Sequence, residues 1–441
     1  MLLEFRTKNF KSFRNEAVFS MTAAPKQKGL DYSLMKEKSG SKIIKGLSSS
    51  VVYGPNAAGK TNIIGSMDVL RSIVIRGNIK NTEGKSSPNY ASSALELIPN
   101  NSLSTPEPVS FSVTFFEKGF KIKYGIDIDL GTFLDSEYER RIVFEQLTVN
   151  DNEIFTRKDG LTFGKMDDIK EYLINQSEKE GSIEKISENS LNPEELFLTN
   201  GFKLIYSQSF VKLITDWFNE KFMVIYRADS MQIIKRFADP QKETVYIETT
   251  TNEAAKLFGI NSNAVGYVVS DDSSEAKLYS IFNNIKDSKN AAIAAEFFES
   301  YGTIRFINMF PLVIRALQRG GTLVVDEFDA SIHPMALMNI INAFHNDDIN
   351  INHAQLIFNT HNPIFLNSNL FRRDEIKFVE RDDDTHYGTL YSLSDFGTAG
   401  EAGVRKNDDY MKNYFIDRYG AIKNIDFTPI FEEIVKNKGE I

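Results

Sequence analysis

The run Gly54-Pro-Asn-Ala-Ala-Gly-Lys60-Thr61 constrains this chain more than any other feature. It follows the apolar stretch Ser50-Val-Val-Tyr53 and precedes a segment with Ile63, Ile64, Met67, Leu70 and Ile73 on one helical face. A G-x-x-x-x-G-K-[ST] turn between strand and helix has a physical purpose. Its glycines let successive backbone N–H groups converge on phosphate oxygens, and the helix adds its positive end to the same anion. Asn56, Ala57, Ala58, Gly59, Lys60, Thr61 and Asn62 are therefore candidate phosphate contacts. Lys60 reaches toward β- and γ-phosphates, and the Thr61 hydroxyl suits Mg²⁺. The segment predicts a site for a nucleoside triphosphate.

Composition narrows the remainder. With 441 residues, 41% hydrophobic and 25% charged, the chain has room for two or three ordinary cores. No stretch has the length of a membrane span, and the N-terminus lacks a signal-peptide layout, so no membrane role is expected. The absence of cysteine excludes disulfides, thiolate metal sites and thiol catalysis, and fits a reducing, cytoplasmic setting. A net charge of −9 argues against a globally basic nucleic-acid binder, though not against a local basic groove.

Residues 1–20 alternate like strands around Asn9-Phe-Lys-Ser-Phe13, and residues 21–48 read as a loop or short hairpin. Residues 77–108, rich in Asn, Ser and Pro, read as a mobile surface segment. From Val109 the period becomes two, through Phe111, Val113 and Phe115, then Ile122, Tyr124, Ile126 and Ile128, with a turn at Glu117-Lys-Gly119. Further strands are predicted at Ile142–Val149 and Glu153–Thr156. Helical periodicity dominates residues 165–299, clearest in Leu204–Phe222, Ala254–Phe258 and Ala276–Ile285. Beyond residue 300, short all-apolar runs at Thr322–Val325 and Gln355–Phe358 suit parallel strands buried on both faces.

The first of these runs ends in Asp326-Glu327. A carboxylate there can hold Mg²⁺ opposite Thr61, and Glu327 is placed to deprotonate an attacking water. Ser300-Tyr-Gly302-Thr303 opens a predicted helix from Ile304 to Leu317, with Pro311 inside it, and offers a second anion-binding turn. His361, in Asn359-Thr-His-Asn-Pro363, ends another buried strand, where a neutral imidazole can contact a γ-phosphate or its attacking water.

In this order, the motifs resemble the head of an ABC-type ATPase, and more narrowly the RecF/SMC/OLD group. Asn9-Phe-Lys-Ser-Phe13 is similar to that group's opening strand, and Arg372-Arg-Asp-Glu-Ile376 with Tyr419-Gly-Ala-Ile422 resembles phage-defence ATPases of the RloA and AbiL type. The resemblance implies an α/β fold: a mixed sheet with a phosphate-loop core flanked by helices, an antiparallel β subdomain, and a mainly helical insertion. The two halves of the head would be residues 1–164 and 300–441, with residues 165–299 inserted. It implies ATP and Mg²⁺ as ligands, Thr61 and Asp326 at the metal, Glu327 as general base, and His361 as γ-phosphate sensor. Lys11 and Ser12 would approach the nucleotide. Ser300, Gly302, Thr303 and Asp329 would meet ATP held by a second copy, giving a homodimer that could assemble further. Tyr301 departs from the small residue common at its position in related loops.

The expected function is a nucleotide-controlled subunit of an anti-phage system, acting on an effector protein encoded nearby. The alternatives are a nuclease-coupled or DNA-repair-type ATPase acting on nucleic acid. The first needs an acidic metal cluster, for which Asp271-Asp272 and Asp382–Asp384 are the candidates, both read as solvated turns. The second needs a basic surface, for which Arg140-Arg141, Lys235-Arg236 and Arg372-Arg373 are the doublets.

Overall fold

The computed structural model describes residues 1–25, 27, 29–39, 42–80, 95–102, 105–133, 138–174, 180–189, 191–226, 249–269, 276–283, 290–400, 403–423 and 425–437. Two sheets carry the architecture. One has six strands in the order Phe222–Ile225, Thr322–Val325, Gln355–Asn359, Ser49–Tyr53, Ile376–Arg381 and Gly388–Ser392. The first five run parallel, and the last pairs antiparallel. Ser49–Tyr53, Thr322–Val325 and Gln355–Asn359 are buried at every position. That explains the apolar runs within them, because both faces are covered.

Successive residues on these strands feed different cores. Val52, Val324, Ile357 and Val379 join a cluster with the helix Lys60–Arg76 and the antiparallel sheet. Val51, Tyr53, Leu323, Val325, Leu356, Phe358 and Phe378 join the opposite cluster, with the helices Tyr301–Arg319 and Pro334–Phe344. Parallel strands place all their carboxyl ends at one edge, where ligands of open α/β sheets bind. The phosphate loop, Asp326-Glu327 and Thr360-His361 therefore meet there.

The second sheet has seven antiparallel strands: Leu161–Phe163, Asn152–Arg157, Arg141–Val149, Phe120–Asp129, Val109–Glu117, Leu2–Lys8 and Ala17–Ser20. Its central hairpin closes on Lys118-Gly119, with φ of 47° and 88°. Both positive values fit the two-residue turn whose twist matches its strands. Leu34–Ser39 and Lys42–Leu47 form the short hairpin read in residues 21–48. The mixed α/β fold expected for an ATPase head is thus present.

Three expectations differ. Ala276–Asn283 is a strand between Ala264–Val269 and Asn290–Ala294, not a helix. Leu278, Ile281 and Phe282 satisfy helical spacing, yet Tyr279, Ile281 and Phe282 favour a pleated surface, and sheet pairing decides. The range 165–299, read as mainly helical, also contains strands. Phe222–Ile225 within it pairs with Thr322–Val325 in the six-stranded sheet. Lastly, in the 77–108 segment Ile79, Leu95 and Leu97 enter the first core, and the Ile98 carbonyl accepts from Lys11 N–H, while residues 81–94 and 103–104 lie outside the described residues.

The residues of the C-terminal resemblance build structure. Arg372 pairs with Asp374 at 2.9 Å, and Arg373 donates to the Gly397 and Val404 carbonyls; both arginines, Asp374 and Val404 are buried. Tyr391 donates to the Tyr419 carbonyl at 2.8 Å. Among the described residues, no helix is long and apolar enough to cross a membrane.

Candidate functional site

The phosphate loop turns out of Ser49–Tyr53 into Lys60–Arg76. Gly59 sits at φ 117°, and a Cβ there would lie 2.4 Å from Ser12 Oγ. Only glycine fits so close an approach in that conformation. Lys60 is buried and its Nζ donates to the Gly54 and Pro55 carbonyls at 2.8 and 2.9 Å, holding the ammonium under the loop. Burial lowers its pKa to about 8, against the raising influence of Asp326 and Glu327.

A hydrogen-bonded chain joins the loop to the strand ends beside it. Thr61 Oγ1 donates to Asp326 Oδ1 at 3.1 Å, and Asn359 Nδ2 donates to the same oxygen at 2.6 Å. Asn359 Oδ1 in turn accepts from Glu327 N–H, while the Glu327 carbonyl accepts from Arg305 Nη2 at 2.5 Å. Glu327 has φ 51°, a left-handed conformation costing a residue with a Cβ about 1–2 kcal/mol. Its side chain is exposed at the mouth of the site.

His361 is drawn into the same electrostatic group. Partial burial and the Lys60 ammonium lower its pKa, outweighing the raising influence of Glu327, Asp329 and Asp326. Asp329 Oδ2 accepts from Thr360 Oγ1 at 2.6 Å, and burial raises its pKa. Ser300 caps the helix Tyr301–Arg319: its Oγ accepts from Thr303 N–H at 3.1 Å and lies 2.8 Å from Thr303 Oγ1. A Cβ on Gly302 would lie 2.1 Å from the Ser331 carbonyl oxygen, so this turn packs directly on the loop that follows Asp329. Tyr301 stands out from it, 57% exposed.

The opening segment divides in two. Ser12 Oγ accepts from Asn62 Nδ2 at 2.9 Å, beside Gly59. Lys11 Nζ is engaged by Glu96 at 2.6 Å and by the Tyr226 hydroxyl at 3.1 Å. Left-handed backbone at Asn9 and Lys11, with Phe10 and Phe13 buried, folds the segment into this tight loop.

The donor set fits a magnesium triphosphate. Loop N–H groups and Lys60 supply positive charge, and Thr61 and Asp326 supply adjacent oxygens of the hard type Mg²⁺ prefers. Two residues of this arrangement had no assigned role in the sequence, Asn359 and Arg305. Asn359 carries a signal, a polar residue ending an otherwise apolar strand. Arg305 carries none, because nothing in a helix reveals which carbonyl it will meet.

Among solved structures, the chain is similar to the SMC head domain from Thermotoga maritima, at 12% identity over 89% of this chain and 98% of that one, with a TM-score of 0.34. It is also similar to an Smc head domain with an extended coiled coil bound to the C-terminal domain of ScpA derived from Pyrococcus furiosus, at 10% identity over 89% and 96%, with a TM-score of 0.36. No curated protein matches the chain. Residues 49–367 match the family described as "AAA domain, putative AbiEii toxin, Type IV TA system". This span runs from the phosphate-loop strand past His361, and the chain belongs to that AAA-domain family.

Proposed function

We propose that the chain binds Mg-ATP at Asn56–Asn62 and hydrolyses it, using Glu327 as general base. The single observation that carries this reading is the chain Thr61–Asp326–Asn359–Glu327, which links the loop, the metal position and the base through adjacent strand ends. Bound magnesium would neutralise charge on the β- and γ-phosphates. The rest is the work of this chain's residues, which position and stabilise charge without covalent chemistry. Lys60 keeps its ammonium beneath the phosphates, Asp326 and Thr61 present oxygens to the metal, and Glu327 takes the proton of the attacking water. His361, in the same electrostatic group, reports the γ-phosphate.

The active unit in this proposal is a homodimer, with Ser300, Gly302, Thr303 and Asp329 of one copy closing on nucleotide held by the other. Loss of the γ-phosphate removes contacts that bridge the copies, so hydrolysis separates them. The family description and the motif order support a place in phage defence, with nucleotide state controlling an effector protein.

Direct action on nucleic acid has less support. Asp382 Oδ1 is occupied by the Thr385 N–H and hydroxyl, both at 2.7 Å, and Asp383 pairs with Lys423 at 2.9 Å. Arg141 pairs with Asp129 at 2.8 Å, and Arg372 and Arg373 are buried. Asp271-Asp272 and Lys235-Arg236 lie outside the described residues.

Phosphate release from ATP by the native protein and by Glu327→Gln tests the proposal. Turnover with magnesium in the first and its loss in the second, with ATP still bound, is the expected result. Full turnover by Glu327→Gln removes the residue from the role of base.

A further inference from the structure

The fold grips Glu327 by its peptide rather than by its carboxylate. On one side, Asn359 accepts the Glu327 N–H while its amide donates to Asp326. On the other, Arg305 Nη2 donates to the Glu327 carbonyl at 2.5 Å. Between these contacts the residue is left-handed, at φ 51°. A side chain with a Cβ leaves that region unless its surroundings hold it there. Release of either contact lets the peptide rotate, and rotation re-aims the carboxylate.

Arg305 itself is only 3% exposed. It lies on the Tyr301–Arg319 helix, little more than one turn after the Ser300 cap. The same helix start packs through Gly302 on the Ser331 carbonyl, four residues beyond Glu327 in the chain. A buried guanidinium donating to a carbonyl is a strong, directional contact. The Arg305 side chain thus ties the Glu327 backbone to the first turns of that helix.

We propose that Arg305 is a positioning residue for Glu327, coupling the orientation of the general base to the helix that opens at Ser300. The inference rests on the reading of Glu327 as base. In the dimer described above, a second copy that presses on the Ser300 turn would thereby adjust the base of the copy it touches. Each site would sense whether its protomer is also serving the other site.

The test measures kcat and equilibrium ATP affinity for Arg305→Met and Arg305→Lys, alone and combined with Glu327→Gln. A misplaced reacting group costs up to about 100-fold in rate, so Arg305→Met should lose about 10- to 100-fold in kcat. Its ATP affinity should stay native. Arg305→Lys, which can still donate to the carbonyl from a different position, should recover part of the loss. Combined with Glu327→Gln, neither variant should lower the residual rate further, because the rate effect of Arg305 in this inference runs through the orientation of Glu327. Native turnover in folded Arg305→Met overturns the inference, as does an equal loss in both backgrounds. If Arg305→Met does not fold, native turnover in Arg305→Lys overturns it. Full hydrolysis by Glu327→Gln alone would instead defeat the assignment of the base.

Discussion

Thr61 Oγ1 and Asp326 Oδ1, 265 residues apart in sequence, meet at 3.1 Å across the carboxyl edge of the sheet. Their strands are not neighbours: Gln355–Asn359 lies between them, and its Asn359 donates to the same Asp326 oxygen. Asp326→Asn should keep the shape of this contact and remove its charge. ATP binding measured with and without magnesium should show the metal's enhancement falling about tenfold or more, equal to about 1.4 kcal/mol. Binding without magnesium should be unchanged. An intact magnesium enhancement would take Asp326 out of the metal site.

Lys60 supplies a pH test. Its pKa is lowered to about 8, chiefly by burial. Triphosphate favours the ammonium form and so raises that pKa in the complex. The sign follows by linkage: affinity is full below about pH 8 and falls as pH rises through it, by up to tenfold per unit. Calorimetric titration with ATP across this range checks the slope. Affinity that stays level to pH 10 would contradict the assigned contact.

Gly302 explains why the turn at Ser300 cannot carry a larger residue at its third position. Gly302→Ala sets a Cβ 2.1 Å from the Ser331 carbonyl oxygen, a backbone atom that cannot simply rotate aside. Overpacking of this kind costs about 1–3 kcal/mol, read as a lower denaturant midpoint. ATP binding to the phosphate loop of the same protomer should persist. Native stability would mean the two loops separate more easily than their packing suggests.

Much of this site is legible in the sequence because chemistry there is written in short, ordered motifs. The loop Gly54–Thr61, Asp326-Glu327 and His361 each end an apolar run, and parallel strands bring such ends together without further information. The remainder depends on tertiary contact. The ion pair of Lys11 with Glu96, 85 residues away in the chain, leaves no mark in either local sequence. Ala276–Asn283 has apolar spacing open to both helix and strand, and only its neighbours on either side decide. Phe222–Ile225 is too short to announce that it extends the six-stranded sheet.

Glu145 offers a test of how the antiparallel sheet holds the segment after residue 195. Its buried carboxylate accepts from Phe197 N–H, Leu198 N–H and the Tyr124 hydroxyl at 2.7, 2.9 and 3.0 Å. Glu145→Ala leaves these donors buried without that acceptor and should cost about 2–5 kcal/mol. Chemical denaturation measures it. A loss below about 1 kcal/mol would show that the segment is held elsewhere.

The proposal that two copies share each nucleotide is tested most directly by the mass of Glu327→Gln in solution. With saturating ATP and magnesium, light scattering should report twice the 50.0 kDa of one chain, returning to one chain when ATP is replaced by ADP. A protein that binds ATP, cannot hydrolyse it and still remains a single chain would contradict the composite site.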